Sequence, residues 1–312
     1  MQQLSFDEST DHMMNLYREG KYADALQLVE QNAEHFPEQT ARITFWKMCL
    51  LSLCGRSNDV LSVFQKGLDA GLWWAESQFR DTDLDAVRDF PQFKRLMAES
   101  IKKSIEMQAY ISPARTLLVP DDISGEVPLF IGLHGRNGHN ESNLEQWEIA
   151  RRRGWMLLSP QSRQALYQGG YCWDNSDQGL KDILFHLGEV LQSYRVDRKR
   201  IVIAGFSQGG GMAIYAVLSE RIAARGFIGI GTFLADPSSL IPLARRMQSV
   251  RGYFITGEQD QYLDKIKEIQ NILRENNISF GEEVHPNLGH EFPSDFGSSF
   301  DKAIDFIFKE HE

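Results

Sequence analysis

Cysteine is scarce in this chain. Its 312 residues include three, Cys49, Cys54 and Cys172, and their odd number and unrelated spacings give neither a disulfide framework nor a metal-finger pattern. No apolar run approaches the roughly 18 residues that a membrane-spanning helix needs. The opening Met1-Gln2-Gln3-Leu4-Ser5-Phe6-Asp7-Glu8 has neither the basic start nor the apolar core of a secretory signal, so the cytoplasm is the expected compartment. Positive charge is in deficit too: 33 Lys and Arg stand against 43 Asp and Glu, a net charge of -10. That balance argues against a nucleic-acid binder or a polybasic membrane anchor. No cofactor motif is visible, and the chemistry read below requires none. What is present is 42% hydrophobic and 24% charged residues, the make-up of a globular protein long enough for two domains.

Residues 1–110 read as helices only. Tyr22, Ala25, Leu26 and Val29 recur at the spacing of one helical face, with Gly20 before that helix and Pro37 after it. Phe45, Trp46, Cys49, Leu50 and Leu53 form a second stripe stopped by Gly55, and Val60, Leu61, Phe64 and Leu68 a third stopped by Gly71. The stretch Gly20-Lys21-Tyr22-Ala23-Asp24-Ala25, closed by Pro37, resembles the inter-helix turn of a tetratricopeptide repeat. Gly55 follows Gly20 by 35 residues, close to that repeat's period of about 34. Two such units cannot bury a continuous core, and the next stretch carries Leu72, Trp73, Trp74, Phe79, Leu84, Phe90, Phe93 and Leu96. The helical part is therefore expected to pack on the C-terminal domain, on a second copy in a homodimer, or on a partner protein.

From about Arg115 short apolar runs alternate with helical patterns, which predicts a mostly parallel sheet with crossover helices. The strands are expected at 116–119, 128–133, 155–159, 200–204, 226–230, 252–256 and 278–284. Helices are expected near 143–153, 178–193, 208–220, 261–275 and 295–309, and Asp197 in the turn that feeds the fourth strand. Residues 111–312 thus form the second domain.

The most informative stretch is Arg200-Ile201-Val202-Ile203-Ala204-Gly205-Phe206-Ser207-Gln208-Gly209-Gly210-Gly211-Met212-Ala213. A β-branched run leads into Gly-x-Ser-x-Gly and then into residues that can open a helix, the pattern of a nucleophile elbow. The pattern is short; its weight comes from the strand before it, the helix after it and the partners downstream. A serine hydroxyl needs a base, and the base an orienting carboxylate. Asp260 follows the strand ending at Thr256-Gly257, with Glu258 and Asp236 as alternatives. His290 follows the last strand, where Gly289 frees its loop, with His285 as the alternative. The oxyanion would take one N–H from Gln208 and another from the loop His134-Gly135-Arg136-Asn137-Gly138-His139, with Arg136 as the donor and Asn137 second. His134 reads as a brace for that loop. In the stretch from Ser159 to Asp174, Tyr171 and Trp173 are candidates to wall a substrate pocket or to anchor the loop; Cys172 has no partner histidine.

Leu133-His134-Gly135, Gly205-Phe206-Ser207-Gln208-Gly209-Gly210, Gly257 with Asp260, and Gly289-His290 together resemble the α/β-hydrolase superfamily, and within it the phospholipase/carboxylesterase group. The resemblance covers residues 115–312. It implies a metal-free serine hydrolase acting on a small-molecule carboxylic ester, with Ser207, Asp260 and His290 as its triad. A thioesterase or an oligopeptidase-type peptidase would use the same triad. A helical-repeat adaptor carrying an inactive hydrolase domain is the reading from a different class. Two features depart from the smallest members of that group. Arg136-Asn137 stands where they carry an apolar residue, and the helical extension leaves open whether it shapes or covers the site.

Overall fold

The computed structural model describes residues 5–123, 125–247 and 250–309. The chain divides into two compact units, one of residues 1–111 with 165–170, the other of residues 112–164 with 171–312.

The helical unit contains α1 (Phe6–Arg18), α2 (Tyr22–Asn32), α3 (Thr40–Leu53), α4 (Ser57–Asp69), the single turn α5 (Asp85–Arg88) and α6 (Pro91–Gln108). A capping box starts α1: Glu8 N–H donates to Ser5 Oγ, and Ser5 N–H to Glu8 Oε2. The α1/α2 and α3/α4 pairs each turn at a glycine in the left-handed region, Gly20 at φ 73° and Gly55 at φ 72°. The 35-residue spacing in the sequence is therefore the spacing of two helical hairpins. Ala41, Ile43, Phe45, Met48, Cys49, Leu50 and Leu51 are all buried, so α3 shows more than one apolar face and sits in the middle of the unit. Trp74 is fully buried; its indole N–H donates to the Ala41 carbonyl at 3.0 Å and its ring meets Phe64 edge-on. Phe79 and Phe93 complete that aromatic cluster. The apolar stretch after α4 is thus consumed largely inside the helical unit.

The second unit is built on a seven-stranded sheet. Its strands are β1 (Arg115–Leu118), β2 (Val127–Leu133), β3 (Met156–Pro160), β6 (Val196–Phe206), β7 (Gly226–Ile230), β8 (Arg251–Gly257) and β9 (Ser279–His285), in the order β1-β3-β2-β6-β7-β8-β9. β1 runs antiparallel to β3, and all other pairs are parallel. Helices α7 (Leu144–Arg152), α8 (Ser176–Ser193), α9 (Gln208–Leu218), α10 (Ile241–Ala244), α11 (Leu263–Glu275) and α12 (Phe296–Phe308) connect or follow the strands. Alternating residues face opposite layers, as a pleated strand requires. Leu129, Ile131, Ile201, Ile203, Phe227 and Phe254 pack with α8, α9 and α11. Phe130, Val202, Ala204, Ile228 and Ile255 pack with Trp147 of α7 and with Phe296, Phe300 and Ile307 of α12. Burial on both faces explains why these strands read as continuous apolar runs.

Two sequence expectations are corrected here. Asp197 lies inside β6, within an irregular stretch where pairing jumps from Val127↔Val196 to Leu129↔Ile201; its carboxylate accepts the Lys199 N–H at 3.0 Å. The stretch from Ser159 to Asp174 is not one loop. It contains a hairpin, β4 (Gln164–Tyr167) and β5 (Gly170–Cys172), and residues 165–170 belong to the helical unit. Within that unit Trp74 bridges Tyr167, Ala75 N–H donates to the Leu166 carbonyl, and Ala165 N–H to Gln108 Oε1. Among the described residues no helix is long and apolar enough to cross a membrane.

Candidate active site

The strand order reverses between β2 and β6: the chain leaves β2 for β3 on one side and crosses back to β6 on the other. Open α/β sheets bind ligands at the carboxyl ends of strands at such a switch point. There β6 ends and α9 begins, with Ser207 between them at φ 54°, ψ -120°. A side chain other than glycine holds that conformation only when its surroundings enforce it. Ser207 N–H donates to the Ile230 carbonyl at 2.8 Å, and Ser207 O accepts from Gly210 and from Phe233, each at 2.9 Å. The flanking glycines are required by space. A Cβ on Gly205 would lie 2.1 Å from the backbone of Gly209, and one on Gly209 would lie 2.4 Å from the His134 carbonyl oxygen.

His290 Nε2 lies 2.9 Å from Ser207 Oγ, and His290 Nδ1 lies 2.9 Å from Asp260 Oδ2. The Asp260 side chain is fully buried; its other oxygen accepts from Tyr262 N–H at 2.8 Å. A carboxylate only accepts, so the shared proton sits on Nδ1 and leaves Nε2 free to accept from the serine. The two loops are stitched together along their backbones: Glu258 N–H donates to the His285 carbonyl and Gln259 N–H to the Leu288 carbonyl. The rings of Tyr262 and Phe206 flank the imidazole at 4.8 and 4.9 Å. The alternatives lie elsewhere. His285 faces Glu283 and Ser299, and Asp236 accepts from Ser238 in its own turn. Glu258 is exposed.

The 134–139 loop follows β2 and runs beside the elbow, since Leu133 pairs with Gly205. A Cβ on Gly135 would be 3.5 Å from that of Ser207, which brings the next residue, Arg136, close to Ser207. Asn137 N–H donates to the Tyr171 carbonyl at 2.9 Å. Gln208 opens α9, so its N–H belongs to the first-turn amides that have no acceptor inside a helix. His134 is fully buried, accepts Ser162 N–H on Nε2 and directs Nδ1 at the Gly135 carbonyl, 2.8 Å away. Burial pushes its pKa down to about 4, so it is neutral at pH 7.

Trp173 is 3% exposed: its ring stacks on His134, its indole N–H donates to the His134 carbonyl, and its backbone N–H donates to Gln208 Oε1. That position anchors the loop and leaves little ring surface for a substrate. Tyr171 is less buried; its N–H donates to the Gly138 carbonyl and its carbonyl accepts the Asn137 N–H. Cys172 is buried, and desolvation pushes its thiol up to about 12, far from a nucleophilic thiolate. Asp174 received no role from the sequence. It accepts from Arg136 Nη1 at 2.6 Å and from Gln208 Nε2 at 2.7 Å, and no spacing rule links positions that far apart in the chain.

Cavity size does not locate this chemistry. A cavity of about 560 Å³ lies at the opposite, amino ends of β6, β7 and β8, lined by Arg198, Lys199, Arg225 and Val250 among others. Among the described residues, the grouping with ligand atoms close enough for a metal is Cys49, Asp81 and Asp83 in the helical unit. Burial keeps the Cys49 thiol protonated, and Tyr17 donates to Asp83.

Known proteins resemble the two units separately and together. Residues 174–311 match the phospholipase/carboxylesterase family model, and residues 7–108 match that of an A/B hydrolase-like N-terminal domain. A bifunctional acetylxylan esterase/xylanase, XynS20E of Neocallimastix patriciarum, is 27% identical over 113 residues, which are 34% of this chain and 16% of that protein. The chain thus matches about a sixth of that relative's length. A crystal structure of an uncharacterised protein from Bacillus cereus ATCC 10987 aligns over 99% of this chain and 100% of its own, at 23% identity and a TM-score of 0.56. A ferulic acid esterase aligns over 62% of this chain and 91% of its own, at 17% identity and a TM-score of 0.51. Strand order and elbow agree with these matches: the C-terminal unit has the α/β-hydrolase fold, its residues 174–311 are similar to the phospholipase/carboxylesterase family, and a helical unit similar to the A/B hydrolase-like N-terminal domain comes before it in the chain.

Proposed function

We propose that this protein is a serine hydrolase that cleaves a carboxylic ester through an acyl-enzyme on Ser207. The observation that carries the reading is the unbroken relay Ser207 Oγ, His290, Asp260, with both contacts at 2.9 Å, on a strained elbow at the switch point of the sheet. Ser207 Oγ attacks the ester carbonyl while His290 Nε2 takes its proton, and Asp260 holds the imidazole and stabilises its positive form. The tetrahedral oxyanion is bound by the N–H groups of Gln208 and Arg136. Asn137, whose N–H is already given to Tyr171, is not the second donor. Collapse expels the alcohol, protonated by His290. Water, deprotonated by the same imidazole, then releases the acid. An ester as the substrate class is supported by the name of the acetylxylan esterase relative.

The test is labelling with a fluorophosphonate, read by peptide mass spectrometry, alongside turnover of p-nitrophenyl esters of graded acyl length. One adduct at Ser207 and measurable ester turnover are expected. Ser207→Ala should abolish the adduct and lower kcat on the order of 10⁶-fold. Ester turnover in that variant near the wild-type rate would overturn the assignment.

A further inference from the structure

Resting on the hydrolase reading above, we propose that Asp174 is a positioning residue that clamps both halves of the oxyanion hole with one carboxylate. The two proposed donors come from different parts of the fold. Arg136 lies in the loop after β2, which comes close to the elbow at Gly135, where a Cβ would stand 3.2 Å from the Phe206 ring and 3.5 Å from the Ser207 Cβ. Gln208 is the first residue of α9. Their main-chain N–H groups are the proposed donors, and their side chains turn to the same place. Asp174 Oδ1 accepts from Arg136 Nη1 at 2.6 Å and from Gln208 Nε2 at 2.7 Å.

The rest of the Gln208 amide is used as well. Its Oε1 accepts the Trp173 backbone N–H at 2.9 Å, and the residue is buried. A planar amide held at both ends cannot rotate without breaking one bond. Because the side chain is fixed, the Cα and N–H of the residue after the nucleophile are fixed with it. Trp173 extends the clamp in the other direction, with its indole donating to the His134 carbonyl, the same carbonyl that a Cβ on Gly209 would strike. Tyr171 completes it: its carbonyl accepts Asn137 N–H, and its own N–H donates to Gly138 at 3.0 Å. The segment Tyr171–Asp174 therefore grips the oxyanion loop by its backbone and by the Trp173 indole, and joins it to the elbow by the Asp174 carboxylate and the Trp173 backbone N–H.

Each of these contacts is made in the resting structure, yet its consequence falls on the transition state. Donors aimed at an oxyanion act only when charge develops there, and their strength depends on being preorganised. Loss of the clamp leaves Ser207, His290 and Asp260 untouched and lets the Arg136 loop and the Gln208 turn drift apart. A displacement of about 1 Å in such a site costs on the order of 10²-fold in rate. Ground-state binding of an ester depends little on these N–H groups, so the loss is expected in kcat rather than in KM.

The experiment compares the full-length wild type with Asp174→Ala and Asp174→Asn in kcat and KM on p-nitrophenyl acetate, in the rate of fluorophosphonate labelling, and in thermal melting. The asparagine variant keeps one acceptor for Gln208 or Arg136 but loses the charge. Expected are a fall in kcat and in labelling rate of about 10- to 100-fold for Asp174→Ala, a smaller fall for Asp174→Asn, and a KM within about threefold of wild type. Asp174→Ala should also be non-additive with Gln208→Ala, because both break the same bond. If Asp174→Ala does not fold, Asp174→Asn carries the test through its labelling rate. A labelled, active wild type whose Asp174 variants keep kcat and labelling rate overturns the clamp alone. A loss that falls wholly in KM overturns it too. A folded wild type that is neither labelled nor active overturns the hydrolase reading, and the clamp with it.

Discussion

Replacing Gly209 by alanine tests the geometry of the elbow without touching a reacting group. The added methyl would lie 2.4 Å from the His134 carbonyl oxygen, 2.6 Å from that of Leu133 and 3.0 Å from the Leu133 carbonyl carbon. All three are backbone atoms at the end of β2, so no side chain can swing away to relieve the clash. Restoring an ordinary contact of 3.4 Å moves the start of α9 away from the 134–136 loop by about 1 Å, a displacement that costs on the order of 10²-fold in such a site. Overpacking of this kind also destabilises by about 1–3 kcal/mol. The control is Gly188→Ala on α8, where a Cβ meets nothing within 4 Å. There activity should be unchanged and stability should rise by about 0.5–1 kcal/mol, the gain of alanine over glycine in a helix. kcat on p-nitrophenyl acetate, the fluorophosphonate labelling rate and denaturant midpoints read both variants. A Gly209→Ala protein with kcat and labelling rate within about threefold of wild type would refute the reasoning, because the two oxyanion donors would then tolerate separation.

Two further outcomes are expected. Asp260→Asn keeps an acceptor for the Tyr262 N–H but removes the negative charge beside His290 Nδ1; kcat should fall by about 10⁴-fold with the fold intact, and a loss under tenfold would remove Asp260 from the relay. His134 gives stability a pH dependence of known sign. Its folded pKa of about 4 lies below the ordinary histidine value of 6.5, so between those values the unfolded chain binds a proton that the native state refuses. Stability should therefore fall as pH drops from about 6.5 toward 4, and by about 2 kcal/mol between pH 7 and pH 5 from this group. Urea midpoints for wild type and His134→Gln check it; equal pH slopes in the two proteins would contradict the burial argument.

The strands, and the nearness of Ser207, Asp260 and His290 at their ends, were legible in the sequence because each is fixed locally. β7 begins and ends where its apolar run does, at Gly226 and Ile230, since a strand buried on both faces admits nothing else. Ser207, Asp260 and His290 each follow a strand end, and a turn of a few residues places them. β6 begins earlier than its apolar run predicts because Arg198 and Lys199 are exposed, and exposed positions carry no hydrophobic signal. The β4/β5 hairpin was not legible for a different reason. Gln164–Cys172 is short and mixed in polarity, and its order comes from partners far off in the chain, Trp74, Ala75 and Gln108. The same holds for Trp173. Its sequence context suits a pocket wall as well as an anchor, and the stacking of His134 decides for the anchor.

A strained serine persists only where its neighbours over-determine it, and here those neighbours are strand ends in register. Holding Ser207 at φ 54° costs about 1–3 kcal/mol. The opposing bonds come from the end of β7, through the Ile230 carbonyl, from the Phe233 N–H just beyond it, and from the first turn of α9. The Ile230 bond continues the register in which β6 and β7 pair with Phe206 opposite Ile230. A slip of one residue would turn that pairing inside out and release the elbow together with both apolar layers. Strand register thus holds Ser207 at its bend, while the proposed oxyanion side depends on a carboxylate and an indole from a segment outside the main sheet. The first can be read from periodicity and turn chemistry. The second becomes visible only when Arg136, Asp174 and Gln208 are seen side by side.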